Sequence, residues 1–312
     1  MRNQIDLVTV CFADELKLLE LQARSIRLYF DTNILGSIHI VINDRRVVDI
    51  RRYIESHVFP EYGAFRDRVH IYGYRDFTKT RLKKLGWRSQ QLFKLISAQV
   101  VQSPQYLILD CKNHFIRPVR EETFWYTDGR LRTAVGSILP KFQKGYMLAR
   151  SYFGLDDTIE DKKILPTVTP FLAVTDHVLE MILRLEREQH TPIVDLFMKG
   201  PLVTEFYLYY AYIEALYGGM EALYYPQRRC SFSLMAPAQN DLQKASETIE
   251  NISGNHVFGF GVHRAVIEAA NPAILGMVAD VWVKYGLVAS FDEAQSYFDL
   301  QCLPPKRWFW FF

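Results

Sequence analysis

Apolar residues along this chain follow two rhythms, short unbroken runs and longer stretches at helical spacing. The two alternate through the first third. Ile5-Asp-Leu-Val-Thr-Val-Cys-Phe12 reads as a strand. Ala13-Asp14-Glu15 then caps a predicted helix through Leu16, Leu19, Ala23 and Ile26. The pairing recurs: Ser37 to Asp44 reads as a strand ending in Asn43 and Asp44, Val47 to His57 as a helix, and Val69 to Gly73 as a third strand. Gly86 to Val101 is a predicted helix with Leu92, Leu95, Ile96 and Val100 on one stripe; Pro104 stops it, and the apolar run Tyr106 to Leu109 follows. Strands alternating with helices predict an α/β protein with a mostly parallel central sheet flanked by helices.

Beyond Pro118 the rhythm is less regular. Thr123 to Arg130 reads as a turn or hairpin, and Arg150 to Lys163 as polar and flexible. Pro166-Thr-Val-Thr-Pro170 introduces a short run, Phe171 to Val174, and a helix starting at Thr175-Asp176. Pro201 to Glu214 is a predicted helix packing Phe206, Tyr209, Tyr210 and Ile213 inward. Glu205 lies in its first turn, where the helix dipole favours a carboxylate. Between Ile252 and Arg264, glycines 254, 259 and 261 among aromatics predict a strand that another backbone or a ligand approaches closely.

Composition narrows the function. A 312-residue chain with 49% hydrophobic and 23% charged residues is globular. A net charge of +2 with no long Lys/Arg stretch argues against general nucleic-acid binding. The basic residues between Tyr74 and Leu85 read as a solvated face. Four scattered cysteines without CxxC spacing predict reduced thiols in a cytoplasmic protein, with neither a disulfide frame nor a zinc site. No run of about 18 apolar residues suggests a membrane span, and the first residues lack a signal-peptide core. A strand-to-helix turn without a glycine fingerprint argues against a dinucleotide site. The tail, Leu303-Pro-Pro-Lys-Arg-Trp-Phe-Trp-Phe-Phe312, places aromatics beside Lys306 and Arg307. It suits either a peripheral membrane contact at the inner face of the cell membrane, or a tail tucked into the domain's own core or a dimer interface.

Candidate chemistry gathers in two neighbouring segments. The run Tyr106 to Leu109 ends in Asp110, Lys112, Asn113 and His114. Polar groups at the carboxyl end of a central strand face the crevice where α/β proteins bind ligands. In the preceding helix, Trp87, Gln91 and Lys94 fall at steps of four and three and so share a side. That side is either a solvated face or a contact for a nucleotide diphosphate.

The strand-helix opening, the Trp87-Arg-Ser-Gln-Gln-Leu-Phe-Lys-Leu95 helix and the Tyr106-Leu-Ile-Leu-Asp110 strand with its Phe115-Ile-Arg-Pro118 continuation resemble the nucleotide-sugar half of GT-A-fold glycosyltransferases. They are most similar to a little-characterised group of bacterial glycosyltransferase-like proteins associated with surface polysaccharide synthesis. The resemblance implies a GT-A-like fold with a nucleotide-sugar-binding subdomain at 1–120, an acceptor-side subdomain at 121–300 completing one domain, and the tail at 301–312. It implies transfer of a sugar from a nucleotide-sugar donor to a glycan or lipid-linked glycan. The expected donor-binding residues are Thr9, Val10, Cys11, Phe12, Asn43, Trp87, Gln91, Lys94, Asn113 and His256. The family's strand ends in Asp-x-Asp, which holds a divalent metal, whereas this chain has Asp110-Cys111-Lys112. Either Asp110, Asn113 and His256 still hold Mn or Mg, or Lys112 is itself the cation. A cationic Lys112 predicts a metal-independent enzyme in which Lys94 and Lys112 stabilise the leaving diphosphate. Asp110 then orients Lys112 or a donor hydroxyl, and Glu205 handles the acceptor hydroxyl. The same resemblance is compatible with a metal-dependent glycosyltransferase, with a nucleotidyltransferase, and with a non-catalytic sugar-binding relative.

Overall fold

A computed structural model describes residues 4–136, 138, 140–156, 167–200 and 203–303. Its central sheet takes strands β1 (Ile5–Cys11), β2 (Leu35–Ile42), β3 (Val69–Gly73), β4 (Gln105–Asp110) and β7 (Phe171–Val174) in the order β3-β2-β1-β4-β7. All neighbours run parallel except β7, which lies antiparallel to β4. Every residue of β1 is buried, which is why its sequence is mostly apolar instead of alternating, and its two polar residues, Asp6 and Thr9, are hydrogen-bonded inside the protein. This is the α/β class expected from the chain's rhythm.

Helix α1 (Leu16–Tyr29) returns the chain from β1 to β2, and α2 (Val47–Tyr53) leads from β2 towards β3. Helix α3 (Trp87–Ile96) precedes β4. Three predicted elements have shifted boundaries. The second strand begins at Leu35 and ends at Ile42, and α2 gives way at Ile54 to a wider turn of helix through Val58. Helix α3 ends at Ile96, with Ser97–Gln99 continuing as a tighter 3-10 turn.

After β4 the chain builds a second layer. Strand β5 (Asn113–Phe115) pairs antiparallel with β10 (Gly259–Val262), which pairs parallel with β9 (Ser231–Leu234). Strand β6 (Leu131–Ala134) pairs parallel with β8 (Tyr224–Gln227). The predicted turn at Thr123 to Arg130 is a short helix, Glu121–Phe124, followed by a tight reversal closed by a Trp125–Leu131 bridge. Arg150, expected in a polar flexible stretch, is instead buried in α4 (Gln143–Ser151) and ion-pairs with Glu214. Much of that predicted stretch lies outside the described residues. Helix α5 (Thr175–Gln189) follows β7. Helix α6 (Glu205–Tyr217) buries Phe206, Tyr209, Tyr210 and Ile213 as its pattern predicts. Of the glycine-rich stretch only Gly259–Val262 is strand. A Cβ at Gly261 would press on Ser233 Oγ and sit 3.1 Å from the Lys112 carbonyl, which explains the glycine there. The aromatic tail lies outside the described residues from 304 onward. Among the described residues no helix is long and apolar enough to cross a membrane.

Candidate active site

In the central sheet, β2 and β3 lie on one side of β1 and β4 on the other, so the winding reverses between β1 and β4. Ligands of open α/β sheets bind outside the carboxyl ends of the strands at such a reversal. In this register Val10 stands beside Asp110, which puts Cys11, Phe12 and Asp110 together at that edge.

Asp110 is the hub. One carboxylate oxygen, Oδ1, lies 2.7 Å from Lys94 Nζ, and the other is ion-paired with Lys112 and accepts a 2.8 Å bond from Thr169 Oγ1. Burial alone would raise its pKa, but the two ammoniums hold it far below the usual carboxylate range. Lys94 in turn lies 3.2 Å from Glu205 Oε1. Apart from that ion pair, neither oxygen of Glu205 has a partner among the described residues, and burial pushes its pKa up against the pull of Lys94. A chain of alternating charge thus runs Lys112–Asp110–Lys94–Glu205, from partial exposure at Asp110, 17%, to full enclosure at Glu205, 1%. Lys94 is raised to a pKa beyond its ordinary value: burial lowers it, and the two flanking carboxylates outweigh that.

Several expected donor contacts are placed elsewhere. Trp87 and Lys94 do share an angular side of α3, yet Trp87 is 47% exposed and Lys94 3%. Seven residues separate them, about 10 Å along the axis, so Trp87 overhangs the sheet edge while Lys94 lies beneath it. Lys94 therefore touches Asp110 and Glu205 inside the protein, away from the exposed edge. Gln91 is buried in the same layer. Thr9, Val10 and Cys11 are core residues, with Thr9 Oγ1 donating to Gln22 Oε1. Asn43 is buried as a latch: Nδ2 donates to the Gly86 carbonyl and Oδ1 accepts from Ser89 Oγ. Asn113 Oδ1 accepts from the Asp110 amide and Nδ2 donates to the Thr169 carbonyl, so it shapes the turn. Phe12 keeps some exposure at the sheet edge. Glu205, expected at the acceptor hydroxyl, is enclosed behind Lys94 and away from solvent. His256 is exposed on the turn before β10; the histidine that feels Lys112 and Asp110 is His263, whose pKa is lowered by burial and then by Lys112 and Arg264.

A divalent cation does not fit the set Asp110, Asn113 and His256. Both oxygens of Asp110 already face ammoniums, Asn113 Oδ1 is bonded to backbone, and His256 lies apart. Among the described residues no three His, Cys, Asp or Glu side chains cluster as metal ligands.

Pattern reading misses two residues of this site. Glu15, which follows β1, reads as a helix cap. Its Oε2 is buried without a partner, and burial, followed by repulsion from Asp110, raises its pKa to about 7. The available signal is its place just after the first strand, where the chain meets the sheet reversal. Thr169 binds Asp110, Lys112 and Asn113, and only the proline-bounded stretch around it hints at a fixed loop.

Beside Thr169 a cavity of about 300 Å³ opens between the two layers. Thr123, Phe124, Arg132, Thr169, Arg229 and Ser231 are among its walls. The molecule is thus a mixed α/β protein with a charged cluster at its sheet reversal and a cavity alongside.

By sequence, the chain belongs to a family of unknown function, DUF6492, whose model matches residues 4–259. No curated protein matches it. Among solved structures it is similar to a galactosyltransferase, LgtC, in complex with donor and acceptor sugar analogues, at 12% identity and a TM-score of 0.48 over 97% of this chain and 99% of that one. It is also similar to mouse xyloside xylosyltransferase 1, at 10% identity and a TM-score of 0.44 over 83% of this chain and 97% of that one. A third is the bifunctional glycosyltransferase WbbM, at 9% identity and a TM-score of 0.48 over 89% of this chain and 52% of that one.

Proposed function

We propose that this protein is a glycosyltransferase that moves a sugar from a nucleotide-sugar donor to a glycan acceptor. The reading is supported above all by one observation: Asp110 and Lys112 stand at the carboxyl end of β4, at the reversal of the sheet, with Lys94 locked behind them. Departure of a nucleoside diphosphate builds negative charge on its phosphates. A fixed ammonium in a poorly hydrated site stabilises that charge without reorganisation at the moment of reaction. Lys112 is itself buried, 8% exposed, but it is the less enclosed of the two lysines on Asp110, so it is the one assigned to the ligand, with Asp110 aiming it. Lys94 balances Asp110 from the protein side, so that the carboxylate neither protonates nor turns away. Trp87 and Phe12, both partly exposed at this edge, suit stacking against the base or sugar of the donor.

Glu15 has the properties of the proton acceptor for the incoming hydroxyl. Its pKa near 7 matches that task, and it senses Asp110 and Lys112. Glu205 is then a positioning residue that sets the charge on Lys94. Asp110 and Asn113, expected at a cation, are already paired, so Lys112 supplies the positive charge at the diphosphate.

Titration of uridine, guanosine and cytidine diphosphates by calorimetry, with manganese and with chelator, tests the reading. Binding of at least one nucleotide in chelator is expected, with Lys112→Ala weakening it about tenfold or more, the usual loss for a charge-assisted contact. Binding that requires manganese, or Lys112→Ala with full affinity and turnover, would remove the proposed role of Lys112. Absence of all nucleotide binding would favour a non-catalytic relative.

A further inference from the structure

The cavity beside Thr169 has a chemical character that the charged cluster does not explain. Its walls include Arg132 from β6 and Arg229 from the turn before β9, and among the described residues no Asp or Glu lines it. Each arginine is fixed in the same manner. Arg132 Nε donates 3.1 Å to the Trp125 carbonyl, and its guanidinium lies 5.1 Å from the centre of the Tyr126 ring. Arg229 Nε donates 2.9 Å to the Ser231 carbonyl, and its guanidinium lies 4.9 Å from the centre of the Phe232 ring. One backbone bond and one aromatic face thus orient each guanidinium. Among the described residues neither has a carboxylate partner.

Surface arginines are usually mobile or paired, and holding one costs side-chain entropy. Two held arginines around one cavity without counter-charge are preorganised for an anion, which they bind through paired N–H donors. Ser231 adds a third donor. Its hydroxyl oxygen is buried and, among the described residues, has no hydrogen-bond partner. The volume, about 300 Å³, lies at the small end of ligand pockets and suits one sugar ring with its substituents. Thr169 connects this space to the chemistry, since it lines the cavity while its hydroxyl donates to Asp110.

We propose that this cavity is the acceptor subsite and that it selects a sugar carrying an anionic substituent, a phosphate or a carboxylate, held by Arg132, Arg229 and Ser231. Calling the ligand the acceptor rests on the transfer reading above; the preference for an anionic sugar does not. In the bound state the anion lies between the guanidiniums, and the sugar's free hydroxyls face Thr169 and Asp110.

The test is direct binding of three probes to the full chain, by calorimetry or ligand-observed NMR: glucose 1-phosphate, glucuronate and neutral glucose. The variants are Arg132→Gln, Arg229→Gln and the double substitution, each checked for unchanged thermal unfolding. At least one anionic probe should bind at least tenfold more tightly than glucose, and the stronger of the two identifies phosphate or carboxylate as the group recognised. Each single substitution should weaken it about tenfold, and the double should bring it to the level of glucose. Nucleoside diphosphate affinity should stay within twofold in the double variant. Glucose binding as tightly as both anionic probes, or anionic probes retained by the double variant, overturns the subsite. Loss of nucleotide binding in the double variant makes the cavity part of the donor site and overturns the acceptor assignment. Anionic sugar binding in a protein that binds no nucleotide keeps the anion site while removing the transfer reading.

Discussion

Lys94→Met is the sharpest test of the charge chain. In the native protein Lys94 stands between Asp110 at 2.7 Å and Glu205 at 3.2 Å, and each pairing is worth about 5–6 kcal/mol gross at an effective dielectric near 20, most of it offset by desolvation. Methionine keeps the length and removes the charge. Asp110 retains Lys112 and Thr169. Among the described residues Glu205 has no other cation in hydrogen-bond reach, and neither of its oxygens has another partner. It escapes by taking a proton. At pH 7 protonating a carboxyl with an ordinary pKa of 4.5 costs about 3.4 kcal/mol, and the cost falls by about 1.4 kcal/mol for each unit of acidification. Because burial already raises this pKa in the native protein, the expected loss is smaller than that full cost, up to about 3 kcal/mol at pH 7 and up to about 1 kcal/mol at pH 5.5. Near pH 7 that is a drop of up to about 5 °C in Tm for a chain of this length. Glu205→Gln removes the group that needs the proton, so Lys94→Met/Glu205→Gln should recover most of the pH 7 loss. Thermal and urea unfolding of the four proteins of the cycle at pH 5.5, 7 and 8 measures this. A Lys94→Met loss that does not change with pH, or a double variant in which the single losses simply add, would refute the coupling.

Two further outcomes follow from the same physics. Glu15 keeps its proton longer in the folded state than in the unfolded chain, so its burial is free of cost below about pH 4.5 and fully destabilising above about pH 7. Glu15→Gln should therefore stabilise the protein at pH 8 by about 2 kcal/mol after allowance for solvent screening, and by almost nothing at pH 4.5, as read from urea midpoints; a gain of equal size at both pH values would contradict the assignment. Asp6, at the opposite end of β1, behaves in reverse. Burial would raise its pKa, yet bonds from His39, Ser103, Gln102 and Ser37 hold it at about 2, so its contribution is complete above about pH 4 and lost as pH falls towards 2. Asp6→Asn should cost about 2–3 kcal/mol at pH 7 and little at pH 2.5, provided the protein is still folded there, while leaving nucleotide affinity unchanged, because the residue lies at the far edge of the sheet.

Hydrophobic rhythm alone determined that this is an α/β protein, which segments form β1 to β4 and β7, which faces of α1 and α6 are buried, and that Asp110 ends a central strand. Those properties are local: a strand buried on both faces is mostly apolar, and a helix packed on one side must repeat at its own period. Only the tertiary structure decided which polar residues reach a ligand. Asn43, Asn113 and Lys94 look like a binding set along the chain, but each has its hydrogen bonds or charges satisfied inside the protein, by partners such as Ser89, Thr169 and Glu205 that lie 46, 56 and 111 positions away. Depth along a helix axis, which put Trp87 outside and Lys94 inside, leaves no trace in angular periodicity. Glu15, Thr169 and the arginine-lined cavity emerge only where β1, β4, β6 and the turn before β9 meet. A side chain's charge and access are set by what surrounds it, and those neighbours come from distant stretches brought together by the fold.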